Sequence, residues 1–505
     1  MMPMRIKKRN YDWYSASRRF FGSEIFWRCS LVLFTVQALY IASVGRFSMA
    51  FDEHFHLAAI QAYAKTWLPW QVQQPAGPAE LGALTADGSY LYHYLMSFPY
   101  RLLDLFVHDQ TVQIIVLRLL DVGVVVVGWF LFRKLLFVLK TSRPAAHSIL
   151  ALIMLMPMAP FLAGQLTYDT LFFTLCAASV LLAVRLVRRI DEHTELPLGQ
   201  TALTLGVVLV TCQVKYAFLP AAFGMIAFMT IYVGWKIWRG QLVALVIASS
   251  WAEDMQRSGS IFAIGVLMLA GMLFAQRYGM NYLQYGALVP DCNKVIGHQR
   301  CLDFDPYGRD ADIHERGWHR TITISQKFSY PNTWYQKMIR ESYFSVGPRE
   351  INYPSVQPLP VAYAAGKILA LVSVALLAIG LVYVRKISAV EGLLFATLTG
   401  YVGALLAKNY AAFLFTAVPL SIHGRYVLPF LPLAGYLVYK TLTKLRLGVG
   451  WRTGAFLFVG ILLMAHLYAG GIAPFIIGSN DQWYWPHAVP TGRIVRSVLW
   501  PLILK

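Results

Sequence analysis

Apolar stretches of close to twenty residues recur along almost the whole chain. A segment of that length and character crosses a bilayer as an α-helix, because the helix satisfies its own backbone hydrogen bonds where no water is present. The repetition therefore predicts an all-α polytopic membrane protein. Composition agrees: 57% of the 505 residues are hydrophobic and 14% charged, and the mean hydropathy is +0.52, far from the balance of a water-soluble domain.

Spans are expected at residues 27–47, 112–132, 146–163, 168–185, 200–214, 217–235, 259–276, 359–384, 389–407, 425–440 and 453–472, about eleven transmembrane helices in all. Positive charge orients them. Arg5, Lys7, Lys8, Arg9, Arg18 and Arg19 precede the first span, which puts the N-terminus in the cytoplasm. The same bias recurs in alternate loops, at Arg133, Lys134, Lys140 and Arg143; Arg185, Arg188 and Arg189; Lys236 and Arg239; Arg385 and Lys386; Lys440, Lys444, Arg446 and Arg452. Omitting one span would move half of these clusters outside, so the shared sign checks the whole register. The net charge of +19 is accounted for by these loops and not by a nucleic-acid partner. Ser48-Met49-Ala50 has the small residues of a cleavage site, yet the basic region is long and the apolar span helix-length, so an uncleaved anchor is expected.

The register divides the chain into a basic cytoplasmic N-terminus (1–26), an N-terminal transmembrane module (27–276) with a first outer loop (48–111), a second outer segment (277–358), C-terminal transmembrane helices (359–472) and an outer tail (473–505). Residues 54–70 and 92–107 mix aromatics, aliphatics and a few polar groups, as helices lying in the interface plane do. The second outer segment is large enough for a small cap of mixed structure. Cys29, Cys176 and Cys212 fall in or beside apolar segments and are expected to be packing residues. Cys292 and Cys301 stand in the second outer segment, where oxidising conditions would allow a disulfide.

Polar residues gather at the outer end. Phe51-Asp52-Glu53-His54-Phe55-His56 begins just past the first span. Asp52 can cap a helix and Glu53 can favour its N-terminal dipole; a carboxylate there can also serve as general base or cation ligand. Asp169 lies in the turn between the third and fourth spans, Lys215 between the fifth and sixth, and Lys408 and Arg425 flank the ninth and tenth. Each has a structural reading, as cap, snorkelling lysine or headgroup contact. Together they suggest a site for an anionic lipid head. Arg118 and Asp121, three residues apart in the second span, are expected to neutralise each other. His54 and His56 do not share a helix face, and a structural role for them outweighs metal binding.

The layout of a basic N-terminus, one span, Phe51-Asp52-Glu53 and an interfacial helix resembles the GT-C superfamily of integral-membrane glycosyltransferases. So does the short turn Gly164 to Thr174, with Tyr168-Asp169-Thr170-Leu171-Phe172. The segment His423-Gly424-Arg425-Tyr426-Val427-Leu428-Pro429 is similar to the closing motif of a large group of uncharacterised bacterial membrane proteins related to these enzymes. Tyr90-Leu91-Tyr92-His93-Tyr94 lacks the paired prolines that protein mannosyltransferases and lipid A aminoarabinose transferases often carry. The resemblance implies sugar transfer from a polyprenyl-phosphate donor to an envelope glycan, lipid or protein, on the extracytoplasmic face of a bacterial cytoplasmic (inner) membrane.

On that reading Asp52, Glu53 and Asp169 are the catalytic candidates, with Asp52 as base. Lys215, Arg277, Lys408, His423, Arg425 and Tyr426 are the substrate-binding candidates, since cations stabilise the charge that develops on a departing phosphate. A divalent cation held by Asp52, Glu53 or Asp169 could do the same work. The rival is a transporter or flippase of lipid-linked glycans, which also needs many spans and interior charge.

Overall fold

The computed structural model describes residues 15–49, 52–77, 79–193, 196–242, 255, 257–315, 322–343, 345–346, 355–356, 358–383, 387–445 and 448–503. Phe51 and Ala50, the basic residues of 1–14, and Arg385, Lys386 and Arg446 lie outside the described residues.

Among the described residues, eight helices are long and apolar enough to cross a membrane: Glu24–Val44, Gln110–Val138, Tyr168–Glu192, Tyr216–Trp238, Ser258–Tyr285, Pro360–Gly380, Ala389–Thr416 and Gly450–Gly478. The chain is an α-helical, multi-pass membrane protein. Three of the eleven expected spans do not reach that length. The stretch 146–163 is broken into Arg143–Met154 and Met158–Ala163, with Pro157 at the break and Pro160 just beyond it; proline lacks the N–H that would continue the ladder. Leu198–Val214 stops at 17 residues. Residues 425–440 begin as two 3-10 turns, Gly424–Tyr426 and Leu428–Phe430, and only then become the helix Leu431–Lys444.

Caps mark where the chain enters helices. Ser23 accepts the Phe26 N–H at 3.1 Å, and Asp109 accepts that of Thr111 at 2.8 Å. Ser388 and Glu391 cap reciprocally, each side chain taking the other's backbone N–H, which satisfies two donors a helix start would leave orphaned. Helix pairs pack tightly in the middle of the bundle, where small residues let backbones approach. A Cβ on Gly400 would sit 2.6 Å from the Pro220 carbonyl oxygen of the neighbouring helix. The largest core cluster joins Trp27, Phe34, Trp129, Phe132 and Phe173 to Tyr401, Phe430 and Tyr436. Cys176 and Cys212 are buried in it, whereas Cys29 is exposed.

Charged contacts sort to two ends of the bundle. At one end Arg133 pairs with Glu24, Lys236 with Asp191 at 3.3 Å, and Lys444 with Glu391 at 3.0 Å. The first and third contacts join a helix start to a helix end, and the second joins two helix ends. Asp52, Asp169, Lys215 and Arg425 meet at the other end.

Two short helices, Glu53–Ala64 and Leu91–Asp104, lie between the first two spans. The cap region is largely helical, with Cys292–Ile296, His298–Cys301, Asp305–Glu315 and Ile324–Tyr343, plus one two-residue antiparallel pairing of Ser345–Val346 with Ser355–Val356. Cys292 and Cys301 form a disulfide. This disulfide-bonded segment and the residues just after it hold the loop between the first two spans: Arg300 donates to the Pro75 carbonyl at 2.7 Å, and Asp303 accepts the Ala79 N–H at 3.2 Å.

Candidate functional site

Asp52 and Glu53 are adjacent but point into different surroundings. Asp52 occupies the N-cap position with φ of 70° and makes no capping bond, contrary to the expectation that it would cap. Its left-handed backbone aims the carboxylate away from the helix start and toward Arg425, whose Nη2 lies 3.3 Å from Oδ2. The Asp52 side chain is 49% exposed and that of Arg425 only 4%.

Glu53 is fully buried. Both its oxygens receive Arg118, Nε to Oε1 and Nη2 to Oε2, each at 2.7 Å. Oε2 also accepts the Met49 N–H at 2.7 Å and Oε1 that of Leu166 at 2.9 Å. Arg118 donates further to the Gly45 carbonyl at 2.5 Å and the Ala42 carbonyl at 3.4 Å. One charge pair thus ties the end of the first span, the loop before Asp52, the second span and the turn at Leu166.

The pairing of Arg118 with Asp121 is corrected accordingly. Asp121 instead accepts the Tyr92 hydroxyl at 2.6 Å and the Thr170 hydroxyl at 2.8 Å. Same-face spacing on one helix brings two residues near each other; which group each one meets depends on the helices packed against that face.

Asp169 starts its helix and is buried. Lys215 bonds its Oδ1, and Arg425 Nε stands 3.8 Å from Oδ2. Charges therefore alternate along the chain Asp52, Arg425, Asp169, Lys215. Lys215 is 3% exposed, which rules out snorkelling, and an aromatic cage surrounds its ammonium: Tyr426, Tyr168 and Phe172 have ring centroids at 4.7, 5.0 and 5.3 Å. Cations over ring faces are attracted by the aromatic quadrupole. The Tyr426 ring also serves Arg425, at 5.2 Å, so one phenol ring lies against both cations. Arg425 is buried.

The turn that presents Arg425 is clamped from the cap. A Cβ on Gly424 would lie 2.6 Å from the Ser342 backbone nitrogen, so only glycine lets the Ile324–Tyr343 helix press on this turn. The same helix supplies Glu341, whose Oε2 is 3.7 Å from His423 Nδ1; His423 meets the Tyr426 ring edge-on at 5.8 Å. Burial lowers the His423 pKa, and Glu341 opposes that shift.

Lys408 is exposed and donates to the Tyr216 hydroxyl at 2.7 Å, one residue along from Lys215. Arg277 belongs elsewhere. It sits on a π turn, Ala275–Gly279, and its guanidinium bonds the Thr85, Leu84 and Pro69 carbonyls and the Tyr63 hydroxyl while stacking on Tyr90 at 4.4 Å. It closes the loop between the first two spans.

His56 and His93 form a buried stacked pair, with Nδ1 of one 2.8 Å from Nε2 of the other and centroids 5.1 Å apart. His56 meets the Tyr168 ring at 4.8 Å, linking the pair to the Lys215 cage. Burial, followed by His93 and the Arg425 and Lys215 charges, holds His56 well below the usual histidine range. Burial pushes His93 down to about 3.

Among the described residues no group of three His, Cys, Asp or Glu side chains converges as metal ligands. Glu53 has both oxygens committed to Arg118 and two amides, and Asp169 is held by Lys215, so neither joins Asp52 as an oxygen ligand. The three carboxylates do not fit a shared divalent cation.

Sequence reasoning missed His93, Tyr168 and Phe172. The last two carried a signal, being four residues apart on one face at the start of the helix that carries Asp169. No protein-family model matches the chain, and no curated protein matches its sequence.

Proposed function

We propose that the chain is a membrane glycosyltransferase that moves a sugar from a polyprenyl-phosphate donor to a hydroxyl or amine of a cell-envelope glycan, lipid or protein. The observation that carries this reading is a half-exposed carboxylate, Asp52, against a buried cation, Arg425, at a bundle end where helix termini from separate spans converge. In this reading that end is extracytoplasmic, in a bacterial inner membrane, and the three shorter helical segments complete eleven crossings.

Phosphate on a lipid is already a good leaving group. The reaction needs a base for the acceptor and positive charge for the departing phosphate. The acceptor's oxygen or nitrogen bonds to the anomeric carbon as the bond from that carbon to the phosphate oxygen breaks. Its proton passes to the Asp52 carboxylate, and the electron pair of the broken bond leaves on the phosphate. Arg425 meets the new negative charge; Lys408, open to solvent, contributes from the side of Tyr216. Lys215 acts through Asp169, holding Arg425 in place.

The test is reconstitution in vesicles with a panel of polyprenyl-phosphate sugars and an envelope extract as acceptor. The reading expects free polyprenyl phosphate and glycosylated product, both lost in Arg425→Met. Passage of the intact lipid-linked sugar across the bilayer, with no cleavage, would establish the flippase instead.

A further inference from the structure

We propose that the Asp52–Arg425 ion pair is a latch that the donor's phosphate opens, so that the lipid-linked sugar binds first and the acceptor second. The inference rests on the phosphate-binding reading of Arg425 given above.

The two partners are unequally held. Arg425 is buried, faces Asp169 at 3.8 Å, lies over the Tyr426 ring and sits on a turn fixed by the Gly424 contact with Ser342. The Asp52 side chain is half-exposed and makes no capping hydrogen bond to the helix it starts. Asp52 is the partner that can leave. A half-exposed ion pair at 3.3 Å is weak, whereas a phosphate offers more charge and several oxygens to a guanidinium. An arriving phosphate therefore takes over the guanidinium N–H groups that face Asp52. The freed carboxylate turns its lone pairs to the acceptor.

Until then the carboxylate is turned to Arg425 and not to the acceptor. Acceptor that arrives early finds no base, and donor that arrives first creates one. Productive order is thereby written into a single contact. No covalent bond changes in this step; one ionic contact replaces another.

The experiment measures binding of polyprenyl phosphate, and separately inorganic phosphate, to the full chain in detergent, with neutral polyprenol as control. Asp52→Asn removes the carboxylate while keeping a residue that tolerates positive φ, and Asp52→Gly does so a second way. Both should bind polyprenyl phosphate about fivefold more tightly than the unaltered protein, the factor corresponding to about 1 kcal/mol. Polyprenol affinity should not move. Tightening toward inorganic phosphate as well would assign the effect to the phosphate group itself, again as the latch requires.

Glu341→Gln removes a negative charge beside His423 and should leave affinity unchanged. Equal or weaker binding by the Asp52 variants, or equal tightening by Glu341→Gln, overturns the latch and leaves the phosphate site standing. If the unaltered protein binds no polyprenyl phosphate, the glycosyltransferase reading fails and the latch with it.

Discussion

Two acid–arginine pairs begin one residue apart and have opposite characters. Glu53 and Arg118 are both fully buried, matched fork to carboxylate, with the remaining lone pairs and N–H groups given to backbone from three other segments. Asp52 and Arg425 share one longer contact, and Asp52 stays half open to solvent. A closed pair fixes geometry; an open one keeps a charge available. The difference teaches that an acidic pair in a motif need not act as a pair. Here Glu53 builds the platform, and Asp52 is the group displayed on it.

The contrast breaks first at Arg118. Removing one partner of a buried ion pair leaves an uncompensated charge and costs about 3–5 kcal/mol. Arg118→Met should therefore unfold the protein or lower its thermal midpoint in detergent steeply, whereas Asp52→Asn should keep stability within about 0.5 kcal/mol of the parent. Equal loss in both variants would erase the distinction between platform and display.

A smaller effect comes from the buried histidines behind Asp52. His56 and His93 both have folded pKa values depressed by burial, so the unfolded chain binds their protons and the folded chain does not. Stability is then full above the unfolded value near 6.5 and falls as pH drops below it, by about 1.4 kcal/mol per pH unit for each histidine. Thermal midpoints at pH 7.5 and 5.5 should show that fall, and His93→Gln should reduce it. A midpoint insensitive to pH, or one that rises on acidification, would mean the pair is charged or solvated.

The smallest effect is expected at Arg277. Its bonds to the loop between the first two spans predict that Arg277→Lys weakens that loop, seen as faster amide exchange over residues 69–85. Donor affinity should hardly change. A selective loss of donor affinity would return Arg277 to the phosphate site.

The α-helical, multi-pass character was legible because apolar length follows from the bilayer alone. The gathering of Asp52, Asp169, Lys215 and Arg425 was legible because charge collects where helices end. Partner choice was not. Arg118 and Asp121 share a face, yet Glu53, at the start of the Glu53–Ala64 helix, claims the arginine, and Tyr92 and Thr170 already satisfy Asp121. Helix lengths failed where proline intervened, at Pro157 and around Pro429. Cys29 looked like a packing residue, but an apolar span leaves some apolar side chains facing outward, as its exposure shows.

The central claim is that Asp52 takes the acceptor's proton. It is tested most directly by single-turnover sugar transfer from a polyprenyl-phosphate donor, comparing the unaltered chain with Asp52→Asn. A positioned base contributes about 10²–10⁴-fold, so the account predicts a folded, membrane-inserted Asp52→Asn protein that still binds donor and transfers sugar at least about a hundredfold more slowly. Near-normal turnover by that variant would contradict it.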